Sequence, residues 1–203
     1  MDRTDISNRL IHFTKGITPE EAFDRLRKIM SDRVILGGST FRKGNITCVC
    51  LSEAPSKSLP DGLRSYKGYA PYSSFGVMFD KKWVFSRGGR PVIYEPDDEY
   101  ELLPESLRWR HVRYDPTAVP PIDFTWEREW RIPCAALPFG PDDATIVLPS
   151  LDWIEEFPEM YQVDYDQQVG EDSLARDIRF DKELGEIFPW HWESLDPTEP
   201  GSI

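Results

Sequence analysis

Residues 125–132 read TWEREWRI, which sets Glu127 and Glu129 beside Arg128 and Arg131 between two tryptophans. Carboxylates this close act together only if they share a face, and the backbone period decides that. On a strand, side chains two apart point the same way. Glu127, Glu129 and Arg131 would then line one side and Trp126, Arg128, Trp130 and Ile132 the other. The Cβ atoms of the two acids would stand about 6.6 Å apart, given a rise of ~3.3 Å per residue, within the range at which paired carboxylates flank a glycosidic bond. On a helix they would diverge by roughly 200°. The stretch lies between Pro121 and Pro133, and its length and its β-branched and aromatic content favour a strand. Two readings remain: an acid pair suited to glycosyl chemistry, or a solvated edge strand whose arginines serve as counter-charges.

Other residues offer chemistry of the same kind. In RLIHFTKG, residues 9–16, strand alternation puts His12 and Thr14 on one face, where a ring nitrogen and a hydroxyl can hydrogen-bond a ribose or an amide. The alternative is a structural histidine satisfied within the fold. Ser52-Glu53 closes the strand pattern ITCVCLSEAP, a position from which functional groups emerge and where a turn or cap also fits. Residues 108–114, RWRHVRY, interleave arginines with Trp109, His111 and Tyr114, a pattern for stacking and phosphate contact or for a strand with solvated arginines. The histidines and cysteines show no metal-ligand spacing, there is no G-x-S-x-G elbow, and the glycine pairs in LGGST and RGGRP fit neither a P-loop nor a dinucleotide fingerprint.

Charge separates the chain into two parts. Residues 1–94 hold 16 Lys+Arg against 9 Asp+Glu, whereas residues 95–203 hold 8 against 27, so +7 is followed by -19. A basic first part suits phosphates, and Arg42, Lys43, Arg87 and Arg90 are expected to border a binding pocket. Residues 151–203 carry 15 acids against Arg176, Arg179 and Lys182; they read as an acidic extension packed on the core, repelling nucleic acid or simply solubilising the chain. At 203 residues the chain has the length of one domain, 1–203. Cys48, Cys50 and Cys134 form no disulfide framework, which suits a reducing compartment. No apolar run approaches the ~20 residues of a bilayer span, and no signal peptide opens the sequence. A soluble, cytoplasmic protein without a membrane partner is expected.

The elements that must position these groups are short, as 18 prolines require. The strongest signal is TPEEAFDRLRKIMSD: Thr18 caps, Pro19 opens the helix, Glu21 completes a capping box, and Ala22, Phe23, Leu26, Ile29 and Met30 recur at helical spacing. Strands are predicted at RLIHFTKG, ITCVCLSEAP, SSFGVMFD, RPVIYE, TWEREWRI and DATIVLPS, with KKWVFSRGG too short for a long helix. LDWIEEF and SLARDIRFDKELGEIF read as helices and MYQVDY as an edge strand. The fold class is α+β, with a split, mixed β core flanked by helices.

The order HFTKG, capped helix, CVCLSEAP, FGVMFDKKWVFSRGGRPVIY and WEREWRI resembles the AbiGi-type abortive phage resistance family of bacteria, over roughly residues 9–135. More distantly, a histidine on the first strand and a glutamate on a late strand resemble the H-Y-E and R-S-E layouts of ADP-ribosyltransferases, including the DarT type. That resemblance implies an ADP-ribosyltransferase-like fold with NAD as substrate. It makes His12 and Thr14 the ribose contacts, with Ser52 and Arg42 also on the NAD side, and Tyr72 or Tyr94 the ring stacked on nicotinamide. Glu129 becomes the catalytic carboxylate and Glu127 the first acid of an E-x-E pair, acting on a nucleic-acid or protein acceptor. The AbiGi likeness also implies a rival: a non-enzymatic, antitoxin-like or nucleic-acid-mimicking partner that occupies a basic toxin.

Overall fold

In the computed structural model, which describes residues 6–39, 43, 46–53, 73–150, 152–153, 156–157 and 190–196, helix α1 spans Pro19–Asp32 as its caps dictate. Thr18 Oγ1 accepts the Glu21 amide at 3.3 Å, while the Glu21 carboxylate reaches past the cap to the Ile17 amide at 2.9 Å. Ala22, Phe23, Leu26 and Met30 form the buried stripe, and Ile29 packs at its margin. The helix stops at Arg33, which takes a left-handed φ of 51° and turns its N–H back onto the last turn.

The remaining elements are strands β1 (Arg9–Phe13), β2 (Val34–Leu36), β3 (Val49–Ser52) and β4 (Gly76–Asp80), a short helix α2 (Lys81–Ser86), then β5 (Arg90–Pro91), β6 (Ile93–Glu95), β7 (His111–Arg113), β8 (Glu129–Ile132), β9 (Ala136–Pro138), β10 (Ala144–Leu148) and β11 (His191–Ser194). Seven of them form one sheet in the order β11-β10-β4-β1-β3-β8-β5, and β2-β9 and β6-β7 are two-stranded sheets. The large sheet is mixed, because β11 runs parallel to β10 while its other pairings are antiparallel. The α+β class is therefore observed, with a large mixed sheet and few helices.

Alternation sorts the sheet into two faces. Leu10, Val49, Leu51, Val77, Phe79, Trp130, Ile132, Ile146 and Leu148 join the stripe of α1 in the main core. Ile11, Phe13, Met78 and Val147 form a second, smaller cluster. Asp80 caps α2 by accepting from the Lys82 and Trp83 amides. Where β4 passes β1, a Cβ on Gly76 would lie 2.7 Å from the His12 carbonyl oxygen, so close pairing there requires glycine.

Several elements depart from the sequence reading. The strand predicted over 125–132 exists only as β8; Thr125–Glu127 is a 3-10 turn, and Arg128 has a left-handed φ of 46° that breaks the alternation. RPVIYE divides into β5 and β6 at Val92. RWRHVRY holds the end of a 3-10 turn and β7, and its arginines bind protein groups: Arg108 the Leu103 carbonyl, Arg110 the Pro91 carbonyl and Arg113 the Asp115 carboxylate. Strands β2, β9 and β11 carry no signal that singled them out. The patterns MYQVDY and SLARDIRFDKELGEIF lie outside the described residues. From the acidic stretch 151–203, Phe157 and Trp190 are buried in the main core and Trp153 packs against it. Among the described residues, no helix is long and apolar enough to cross a membrane.

Candidate functional site

Three neighbouring strands bring the candidate residues together. Directly paired residues project to the same side of a sheet, so Ile11, Ser52 and Glu129 form one row across β1, β3 and β8. Cys50 and Arg131 are paired in a second row, which Arg90 joins from β5. β1 is paired with β4 along all of its length but meets β3 only through Ile11 and Ser52. One residue on, the His12 ring also reaches β3: Nδ1 lies 2.8 Å from the Cys50 carbonyl oxygen. Beside these strands lies a cleft of about 190 Å³, lined by residues 11–13 and 48–52 together with Lys15, Leu36, Gly38, Glu127 and Glu129.

A carbonyl oxygen only accepts, so Nδ1 must carry the proton and Nε2 is left as an acceptor. Burial pushes the His12 pKa below its ordinary value; the bond to Cys50 opposes this and the positive charge of Lys15 adds to it. The ring is thus a neutral acceptor fixed on the cleft wall.

Glu129 is gripped from behind. Arg131 Nε donates to Oε1 at 2.8 Å and Nη2 to Oε2 at 3.2 Å, the two-pronged geometry typical of guanidinium and carboxylate. Arg131 Nη1 in turn donates to the carbonyls of Trp109 and His111 at 3.0 and 2.8 Å. Both side chains are nearly buried, at 9% and 13% exposure. Each carboxylate oxygen has a second lone-pair direction, so the grip fixes Glu129 without exhausting it as an acceptor. Its backbone N–H donates to the Tyr94 hydroxyl at 3.1 Å. Burial, partly opposed by that bond, raises the phenol to about 12, with the negative charges of Glu129 and Glu127 adding to the rise.

Glu127 is buried on the turn that precedes β8, and the left-handed residue between the two acids lets both face the cleft although they do not share a strand. Ser52 pins that turn by donating to the Glu127 carbonyl oxygen at 2.7 Å. Trp130 anchors β8 in the core, whereas Trp126 on the preceding turn is 40% exposed.

Of the residues singled out in the sequence, His12, Ser52, Glu127 and Glu129 line the cleft. Tyr94 supports Glu129 through the backbone and is absent from the lining. Thr14 is buried away from it and bonded to Ser73 and the Phe75 carbonyl. Arg42 and Tyr72 lie outside the described residues. Glu53, the partner of Ser52 in sequence, binds Lys81 at 2.6 Å and the Trp130 indole at 2.7 Å, holding β8 to the core. The cations expected at the pocket stand elsewhere: Lys43 pairs with Asp97, Arg87 stacks over Trp83, and Arg90 stacks over Phe85. Lys15, Cys48 and Cys50 line the cleft without having been singled out for it, although Cys48 and Cys50 alternate with Ser52 along one strand and Lys15 follows His12 closely. No protein-family model, curated protein or solved structure matches the chain.

Proposed function

We propose that this chain is an ADP-ribosyltransferase-like enzyme of bacterial phage defence that uses NAD to modify a macromolecular target. The observation that carries the reading is that His12, from the first strand, and Glu129, from the eighth, both line one cleft beside β3, although alternation raises them from opposite faces of the sheet. In this reading His12 Nε2 accepts a ribose hydroxyl proton. The Glu129 carboxylate accepts the ribose 2′-hydroxyl and stabilises the positive charge that develops on the ribose as the C1′–N bond breaks. The bonding pair leaves with nicotinamide, which departs neutral. An acceptor oxygen or nitrogen then bonds to C1′ and gives its proton to Glu127. The two-pronged grip of Arg131 supports the role of Glu129, because electrostatic stabilisation requires a carboxylate already fixed where charge will appear.

The test is incubation of the purified chain with NAD while free nicotinamide is measured. Release that depends on the chain is the expected result. Its absence, with a basic protein co-purifying from the native host, would replace this reading with that of an acidic, antitoxin-like partner, to which the -19 of residues 95–203 is suited.

A further inference from the structure

Two exposed turns of opposite sign lie outside the cleft lining, each built round an apolar side chain. The first is α2 with the turn that follows it. Phe85 is 52% exposed, although its neighbour Val84 is fully buried. Lys82 stands three residues before Phe85 on the helix, so both project to one side. Its side chain is exposed and meets no carboxylate among the described residues. Arg90 lies over the Phe85 ring at 3.8 Å and donates to the Phe85 and Gly89 carbonyls, which leaves its charge without an acid partner. Arg87 lies over Trp83 at 3.5 Å; its acid, Asp143, is 3.9 Å away and already bonded to the Trp83 indole and the Gly140 amide. An exposed ring is thus rimmed by three cations.

The second is the 3-10 turn Asp97–Leu102. Tyr100 anchors it: the ring is buried, edge-on to His111 of β7 at 5.2 Å, with the Lys43 and Arg108 cations 5.1 and 5.3 Å from its centre. Such a turn repeats every three residues, so Glu99 and Leu102 share one ridge and Asp98 stands on the next, neither of them the ridge of Tyr100. Leu102 is 80% exposed. Asp97 pairs with Lys43 and Glu101 with Arg108, whereas Asp98 and Glu99 are exposed and meet no cation among the described residues. We propose that these surfaces dock between two copies of this chain: the turn Asp97–Leu102 of one copy sets Leu102 on the Phe85 face of α2 in the other, with Asp98 and Glu99 against Lys82 and Arg90. Burial of the leucine against the ring supplies the attraction, and the charges fix the register. Neither surface can pair with its own copy, because like charges would meet; only the pairing of one with the other matches signs. The net charge of -12 repels one copy from another, so the association depends on this local match. Nothing in the contact depends on the proposed reaction.

The experiment is analytical ultracentrifugation of the full chain from ~1 µM to ~300 µM, on the wild type, Lys82→Glu, Glu99→Lys and the double variant. We expect the wild type to associate as its concentration rises, and either single substitution to weaken the Kd tenfold or more. The double variant regains the association, and so does a mixture of the two single variants, because each restores a pair of opposite charges across the contact. A wild type that stays monomeric over the whole range overturns the proposal. Association that neither single substitution weakens, or that the double variant fails to restore, overturns it as well. Leu102→Ser changes no charge and should weaken the Kd to a similar degree; it decides the matter if a charge variant melts early, and an unchanged Kd in it counts against the contact.

Discussion

In the proposed reaction Glu129 would have two duties, and the same bonds serve both. Arg131 is buried beside it and turns its remaining donor to the Trp109 and His111 carbonyls. Glu129→Gln keeps the shape and one accepting oxygen but sets an NH2 group against one of the two guanidinium donors, which it cannot accept from. Loss of a hydrogen bond to a charged, nearly buried group costs about 2 kcal/mol, which lowers Tm by about 4–8 °C in a chain of this size. Below that lowered Tm, NAD cleavage should still fall by ~10², the scale of one lost electrostatic stabiliser. Thermal melts and nicotinamide release on the same preparation separate the two effects. Full activity with a lowered Tm would make Glu129 a structural acid only.

His12 adds a pH dependence with a definite sign. Its folded pKa lies below its ordinary value of 6.5, so the unfolded chain binds more protons between the two values and stability rises with pH across that interval. The contribution is fully present above 6.5 and is lost as pH falls through the folded value. The acids Glu20, Asp115 and Asp123 are lowered from ordinary values of 4.5, 3.8 and 3.8, so they titrate outside the interval from pH 5.5 to 7.5. His12→Gln retains an amide N–H for the Cys50 carbonyl but cannot titrate. Its urea midpoint should change less between pH 7.5 and 5.5 than that of the wild type. Equal changes in the two proteins would show that the ring is not held neutral by the fold.

At the scale of elements, legibility in the sequence follows the range of the forces involved. α1 was readable because its signals are local: a Thr18 cap, Pro19 and a stripe that repeats within one helix. The same holds for β1, β4 and β10, where β-branched and apolar residues are bounded by turn formers. β2 pairs with β9 and β11 with β10 across long stretches of chain, so what makes them strands is a partner that no local window contains. The acid pair shows the limit most clearly. Alternation put Glu127 and Glu129 on one face of a single strand; both line one cleft, but a strand through both does not exist. Arg128 instead adopts a left-handed φ that an arginine seldom takes, and the turn survives because Ser52 holds the Glu127 carbonyl and the Glu53 amide donates to the Arg128 carbonyl at 3.3 Å. Those bonds come from another strand and leave no trace in TWEREWRI. The basic residues misled for a related reason: composition located the charge but not its partners, and Arg87 and Arg90 are spent on the aromatic rings of α2.

For the molecule as a whole, the open question is whether the acidic stretch 151–203 is an arm attached to a complete core or a part of that core. Its described residues favour the second. Trp190 is 4% exposed and lies 5.6 Å from the Phe139 ring, and Phe157 is 1% exposed and packs edge-on against Phe23 at 4.8 Å. β11 extends the large sheet beyond β10, and Glu193 on it forms an ion pair with Arg9 of the first strand. The ion pair matters least, because Arg9 is 48% exposed and a pair of that kind contributes at most ~1 kcal/mol. Removal of a buried tryptophan side chain alone costs ~3–5 kcal/mol, and the unpaired edge of β10 adds an aggregation hazard. A chain ending at residue 189 should therefore melt at least ~6 °C lower, by ~2–4 °C per kcal/mol, or fail to stay soluble. Glu193→Gln should shift Tm by no more than ~4 °C on the same scale. An acidic module that merely decorates the core, as an arm reaching for a basic partner would, predicts the opposite for the truncation: an unchanged melt and an intact cleft. Calorimetry on the two variants decides between them, since the truncation removes the buried Trp190 and the whole of β11 along with its acids, whereas Glu193→Gln removes one charge and no packing.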